Sequence, residues 1–241
     1  MNFRATEFEF RFRFWFIAAI FWLGFSLYGV DHTNFSVALS QLILRSPDRN
    51  SPAFGHCITI LFALGTLSVA LGALLRSWGV AYLHSSVVFD PALHREQLVA
   101  DGPFRYVRNP LYLGNLFLVL GVGLLASRLG FFVLLFGMLL FVYRLIFREE
   151  AALLQTQGES YARYLAAVPR LIPSLRPRLP SRGAKPNWLD GFTGESFMWG
   201  GAAALAVFTA THNIRFFWIV FGAGFAIYFF QQFLRRRSRP V

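Results

Sequence analysis

The sequence predicts an all-α, polytopic integral membrane protein with about six transmembrane helices and both termini in the cytoplasm. Three observations predict it. The 241-residue chain is 56% hydrophobic, holds 29 phenylalanines and is only 15% charged, whereas a soluble domain is about a quarter charged. Six apolar stretches are long enough to cross a bilayer. The basic residues between them are distributed unevenly.

In chain order the stretches are 14–30, 53–75, 111–127, 130–147, 197–212 and 216–234. The first follows the alternating "FEFRFRFWF" of residues 8–16, read as an interfacial flank of a retained helix. It has no small-x-small site for a signal peptidase. Ser127-Arg128-Leu129 and Asn213-Ile214-Arg215 leave so little chain that spans three and four, and five and six, must be helical hairpins. The fifth span is short and rich in Gly and Ala. With the N-terminus inside, 18 Arg and Lys residues fall on inner segments and four on outer ones, with Arg144 inside span four. That bias sets the orientation. The closing "RRRSRP" sets topology and can attract anionic lipid.

The proline-rich stretch 173–186 reads as an extended linker. It divides the chain into a four-span core (1–175), a linker (176–196) and a C-terminal hairpin (197–241). The net charge of +11 does not indicate a nucleic-acid partner, because the arginines sit between apolar segments rather than on one soluble face. The single cysteine, Cys57, cannot form an internal disulfide, and the five histidines lack metal-ligand spacing.

Two polar clusters carry chemistry. In "DGPFRYVRNPLYLGN", residues 101–115, Asn109 is a favoured N-cap and Pro110 a favoured first helical residue. Span three therefore begins at the inner face. Its first-turn N–H groups, with Arg105 and Arg108 upstream, suit an anion. Tyr106 and Tyr112 add aromatic faces, and Gly102-Pro103 supplies a turn. Taken alone, these features also describe an ordinary capped helix start. In "YRLIFREEAALL" at the end of span four, Glu149 and Glu150 are expected at a helix C-terminus, where the dipole disfavours carboxylates. Arg144 and Arg148, one turn apart, are placed to neutralise them. The short 127–129 turn brings both clusters to one face. There they would form a site for a zwitterionic, hydroxyl-bearing, aromatic cofactor and a lipophilic substrate.

With these residues in view, the segment 75–175 resembles the isoprenylcysteine carboxyl methyltransferase family and its relatives among membrane phospholipid N-methyltransferases. The matching pieces, in order, are "LRSW" (75–78), "LVADGPFRYVRNPLYLG" (98–114), "REE" (148–150) and "GESYARYLAAVPRLIP" (158–173). The resemblance implies S-adenosylmethionine as methyl donor, bound at the cytoplasmic face. It places Gly102, Arg105, Tyr106, Arg108, Asn109, Tyr112, Glu149 and Glu150 around that cofactor, and offers Arg144 or Arg148 as the basic catalytic residue. The implied acceptor is a lipophilic small molecule or lipidated substrate, with membrane lipid as the surroundings. Oligomeric state is left open. Three positions depart from the family pattern. Asn109 replaces a His, Phe104 replaces a Tyr, and Leu145 stands where a basic residue commonly precedes the Glu pair. The alternatives are an NADPH-dependent membrane reductase of sterol-reductase type, whose core ends similarly, and a non-enzymatic degenerate family member.

Overall fold

A computed structural model describes residues 3–83 and 100–237, with side chains to residue 234. Arg95, the Leu98-Val99 start of the matched motif and the tail from residue 238 lie outside the described residues. The helices are α1 (Glu7–Arg11), α2 (Arg13–Ser26), α3 (Phe35–Leu44), α4 (Pro52–Leu83), α5 (Pro110–Val122), α6 (Arg128–Ala167), α7 (Trp188–Gly194), α8 (Ser196–Thr211) and α9 (Ile214–Arg237). Among the described residues there is no strand, only an isolated bridge between Asn34 and Ser127.

This is an integral membrane protein. Three helices, α4, α6 and α9, are each long and apolar enough to cross a bilayer. At 1.5 Å per residue, the 32-residue α4 reaches about 48 Å and the continuous part of α6, as far as Gln157, about 45 Å, beyond a hydrocarbon core of about 30 Å. The apolar helices α2, α5 and α8 are shorter. The ten-residue α3 lies in the predicted outer loop and is too short to span.

Neighbouring helices form a row in which α2 packs on α6, α6 on α5, α5 on α4, α4 on α8 and α8 on α9. The seam of α4 with α5 is made by glycines. A methyl on Gly121 would strike the carbonyl of Gly65, and one on Gly72 would come within 2.7 Å of the Gly114 carbonyl. The pairs 65/121 and 72/114 step in opposite directions along the chain, so the helices run antiparallel. Seven-residue spacing keeps the glycines on one face. Backbone proximity here substitutes for a hydrophobic driving force that lipid does not provide.

Several predicted boundaries hold, with local causes. Pro110 opens α5, and the Ser127 hydroxyl caps α6 by accepting from the Gly130 N–H at 3.1 Å. At the same end Arg128 holds the Asp31 carboxyl down at about 2. The α8–α9 turn is capped by Asn213, whose side chain accepts from the Arg215 N–H at 2.9 Å.

The period-two "FEFRFRFWF" is helical. Thr6 and Glu9 form a reciprocal capping box that starts α1, and a local cap outweighs the alternation. The proline-rich stretch 173–186 holds no helix, as read, but the wider linker assigned to 176–196 contains α7, and the chain from 174 to 187 is bonded to the rest of the protein. Ser174 N–H donates to the Tyr106 carbonyl (3.0 Å), Arg178 N–H to the Arg105 carbonyl (2.9 Å) and Asn187 N–H to the Ala81 carbonyl (2.8 Å). It is a strap laid along the 101–108 loop.

Candidate active site

The site forms where α5 begins, where α6 passes its inner end, and where the strap crosses both. Glu149 and Glu150 are not at a helix C-terminus. The helix continues unbroken to Gln157, and only Gly158 (φ 53°) leaves helical geometry before residues 159–167 resume it. The end-dipole penalty anticipated for the pair is therefore absent.

Consecutive helical residues diverge, so the two carboxylates face different partners. Glu149 accepts a 2.6 Å hydrogen bond from the Tyr112 hydroxyl on the first turn of α5. Among the described residues, that is its one hydrogen bond, so Oε2 keeps acceptor capacity. Glu150 is buried and doubly paired. Arg170 reaches it through Nε (3.1 Å) and Nη2 (2.9 Å), and Arg108 Nη2 lies 3.4 Å from Oε1. Arg170 also lies over the Phe147 ring at 4.6 Å.

The turn after α6, just before the strap, brings Arg170 to this position. Arg108 N–H donates to the Pro169 carbonyl (2.9 Å), and the Asn109 side-chain amide donates to the Arg170 carbonyl (3.0 Å). Asn109 thus leaves its expected N-cap role. Among the described residues no side chain caps α5, and its opening N–H groups are open to another acceptor. Arg108 donates Nη1 to the Leu165 carbonyl (3.1 Å), while its Nε is buried without a partner among the described residues. A buried orphan donor next to an uncapped helix start suits a carboxylate, the group at one end of S-adenosylmethionine. A free carboxylate oxygen on Glu149 suits its hydroxyl and ammonium donors. The residues present fit that cofactor.

The other candidates do different work. Arg144 donates to Glu9 on α1 at 2.7 Å, and Arg148 donates to the Ala5 carbonyl at 3.2 Å with its guanidinium over Phe10. Both arginines bind the N-terminal helix rather than neutralising the Glu pair. Arg105 donates Nε to the Leu179 carbonyl of the strap at 2.8 Å. Gly102 has φ +58° and lies so close to the Tyr82 ring that any Cβ would collide with it. Tyr106 sets its ring 5.9 Å from Trp78. Asp101 ties down the far end of the loop. Burial acts to raise its pKa, but the Ala184 and Arg182 N–H groups, the Ser181 hydroxyl and the Arg105 charge hold it below the usual carboxylate range.

Sequence reasoning missed Arg170. It stood inside a quoted motif, and its place just past a helix end, followed by a Pro three residues on, was the available signal. It also missed Tyr164, whose hydroxyl donates to the Phe104 carbonyl at 2.9 Å and fixes residues 159–167 under the loop.

The phospholipid methyltransferase family model matches residues 60–160, a stretch that includes α5, both glutamates and most of α4. The match covers less than half of the chain. The chain is also similar to two curated proteins over part of its length. It is 40% identical over 118 residues to the protein-S-isoprenylcysteine O-methyltransferase of Schizosaccharomyces pombe, covering 46% of this chain and 48% of that one. It is 28% identical over 116 residues to the cobalt-zinc-cadmium resistance protein CzcN of Cupriavidus metallidurans, covering 48% and 50%. The chain thus spans about half the length of the curated relatives it matches. No solved structure matches it significantly.

Proposed function

We propose that this protein is an S-adenosylmethionine-dependent methyltransferase that modifies a lipophilic acceptor at the cytoplasmic face of a membrane. One observation carries the reading. The two motifs that define the family segment, "RNPLY" and "REE", meet through the 2.6 Å Tyr112–Glu149 hydrogen bond, beside the orphan donor of Arg108 and the uncapped start of α5.

When bound, S-adenosylmethionine supplies a methyl group on a sulfonium; the methyl passes to an acceptor lone pair as the C–S electrons return to sulfur. The protein has to hold both partners in line and keep water out. Arg108 and the first turn of α5 would take the methionine carboxylate. Glu149 would accept from the ribose hydroxyls or the ammonium group, and Tyr112 would orient that carboxylate. Glu150 and Arg170 support the frame without contacting the cofactor. An isoprenylcysteine-like carboxylate is one acceptor among lipophilic acids, amines and thiols. The apolar helices around the site favour a lipid-soluble one, and the basic inner segments favour the cytoplasmic face.

The test is calorimetric titration of the detergent-purified protein with S-adenosylhomocysteine and, separately, NADPH. Saturable binding of S-adenosylhomocysteine is expected. Glu149→Gln should weaken it about tenfold or more, the worth of a charge-assisted hydrogen bond. Binding of NADPH alone would move the protein to the reductase class. Binding of neither by a folded sample would refute the cofactor assignment.

A further inference from the structure

The C-terminal hairpin lies beyond the family segment, yet it reaches the proposed cofactor site through a buried ion pair. Glu195, immediately before α8, and Arg76, near the inner end of α4, are both nearly inaccessible to solvent. Their pairing is two-pronged, with Nε to Oε2 at 2.6 Å and Nη2 to Oε1 at 2.8 Å. The rest of the guanidinium is used on α5. Nη1 donates to the Leu111 carbonyl (3.1 Å) and to the Asn115 side-chain oxygen (2.9 Å). Leu111 is the residue before Tyr112, in the opening turn of α5. Gly114 makes room for the arginine stem, since a Cβ there would overlap Arg76 Cγ.

An ion pair this deep is costly to desolvate, and joining two helices does not require one. The α4–α8 contact already has other polar links. Trp199 Nε1 donates to the Ser77 hydroxyl (3.0 Å), the Thr66 and Thr209 hydroxyls are 3.0 Å apart, and Thr59 meets His212 at 3.2 Å. What the arginine adds is a rigid planar fork that fixes three elements at once. Its geometry sets the position of the α5 start, and hence of Tyr112 against Glu149.

Accepting the methyltransferase reading on which this rests, we propose that Glu195 and Arg76 are positioning residues for the cofactor site, and that the hairpin is a working part of that site. Glu195 holds Arg76 in the one orientation that reaches both Leu111 and Asn115. The pair touches neither cofactor nor acceptor.

The test reads S-adenosylhomocysteine affinity and thermal stability together in detergent. Two variants loosen the fork, Glu195→Gln by removing the charge and Asn115→Ala by removing the contact with α5 while leaving the ion pair intact. The double variant Thr66→Val/Thr209→Val weakens the same α4–α8 interface without involving α5. The fork variants should bind S-adenosylhomocysteine about tenfold more weakly, and the threonine variant should bind as the parent does even where its melting temperature falls. Parent-like affinity in a folded Asn115→Ala overturns the inference, whatever Glu195→Gln does. Equal losses in the fork and threonine variants overturn it too, because the effect would then be general loosening. Failure of the parent to bind would refute the functional reading first.

Discussion

Glu149 and Glu150 are neighbours in sequence, and their environments separate their roles. Glu149 keeps an acceptor oxygen and is held by one neutral donor, Tyr112. Glu150 is consumed by Arg108 and Arg170. Glu150→Ala should therefore act on the fold. It leaves Arg108, whose side chain is 9% accessible, without its counter-charge. Breaking a buried pair in this way costs about 3 kcal/mol or more. A thermal melt in detergent should show a large drop for Glu150→Ala and a near-parental value for Glu149→Gln, whose amide oxygen still accepts from Tyr112. Equal melting temperatures would mean that Glu150 is not structural. The sequence shows that carboxylates sit at this face but does not show how they divide the work. Arg170 lies 20 residues from Glu150 and Glu195 lies 119 from Arg76, and neither separation leaves a local pattern.

Elements were legible where their signals are local. Pro110 marks the start of α5 because the chemistry of a helix start lies within a few residues. The ten-residue α3 passed unnoticed, being shorter than a span-length search detects. The carboxylate pair was misplaced at a helix end because hydrophobicity stops near residue 147 while the helix does not. Polarity reports where a helix leaves the lipid, and only a backbone break such as Gly158 reports where it ends. The glycine seam gives a prediction with two signs. Gly121→Ala drives a methyl into the Gly65 carbonyl and should cost about 1–3 kcal/mol through forced separation of α4 and α5. Gly55→Ala and Gly222→Ala meet nothing within 4 Å and should be neutral or stabilise by about 0.5–1 kcal/mol. Melting curves of the three variants check it, and a harmless Gly121→Ala would mean that the seam is not tight.

At the scale of the whole molecule, the row of helices gathers the polar chemistry at one end. The α1 clamp on Arg144, the Glu149–Tyr112 contact, the strap and the Arg76–Glu195 fork all lie at the end where α4 finishes and α5 begins. The opposite end carries Asp31, Arg128 and the Asn34 contacts. If the basic bias orients the chain, the first end faces the cytoplasm. Residues 48 and 185 are exposed, and α4, α5 and α6 lie between them. If all three cross, these residues lie on opposite sides of the membrane. In a Cys57→Ser background, a cysteine at Asp48 should react with a membrane-impermeant maleimide added to intact cells, and one at Lys185 only after permeabilisation. The reverse pattern would put the candidate site on the outer face, out of reach of cytoplasmic S-adenosylmethionine. Equal labelling of both from one side would mean an even number of crossings. The 13-residue α5, the shortest of the three, would then be the helix that fails to cross.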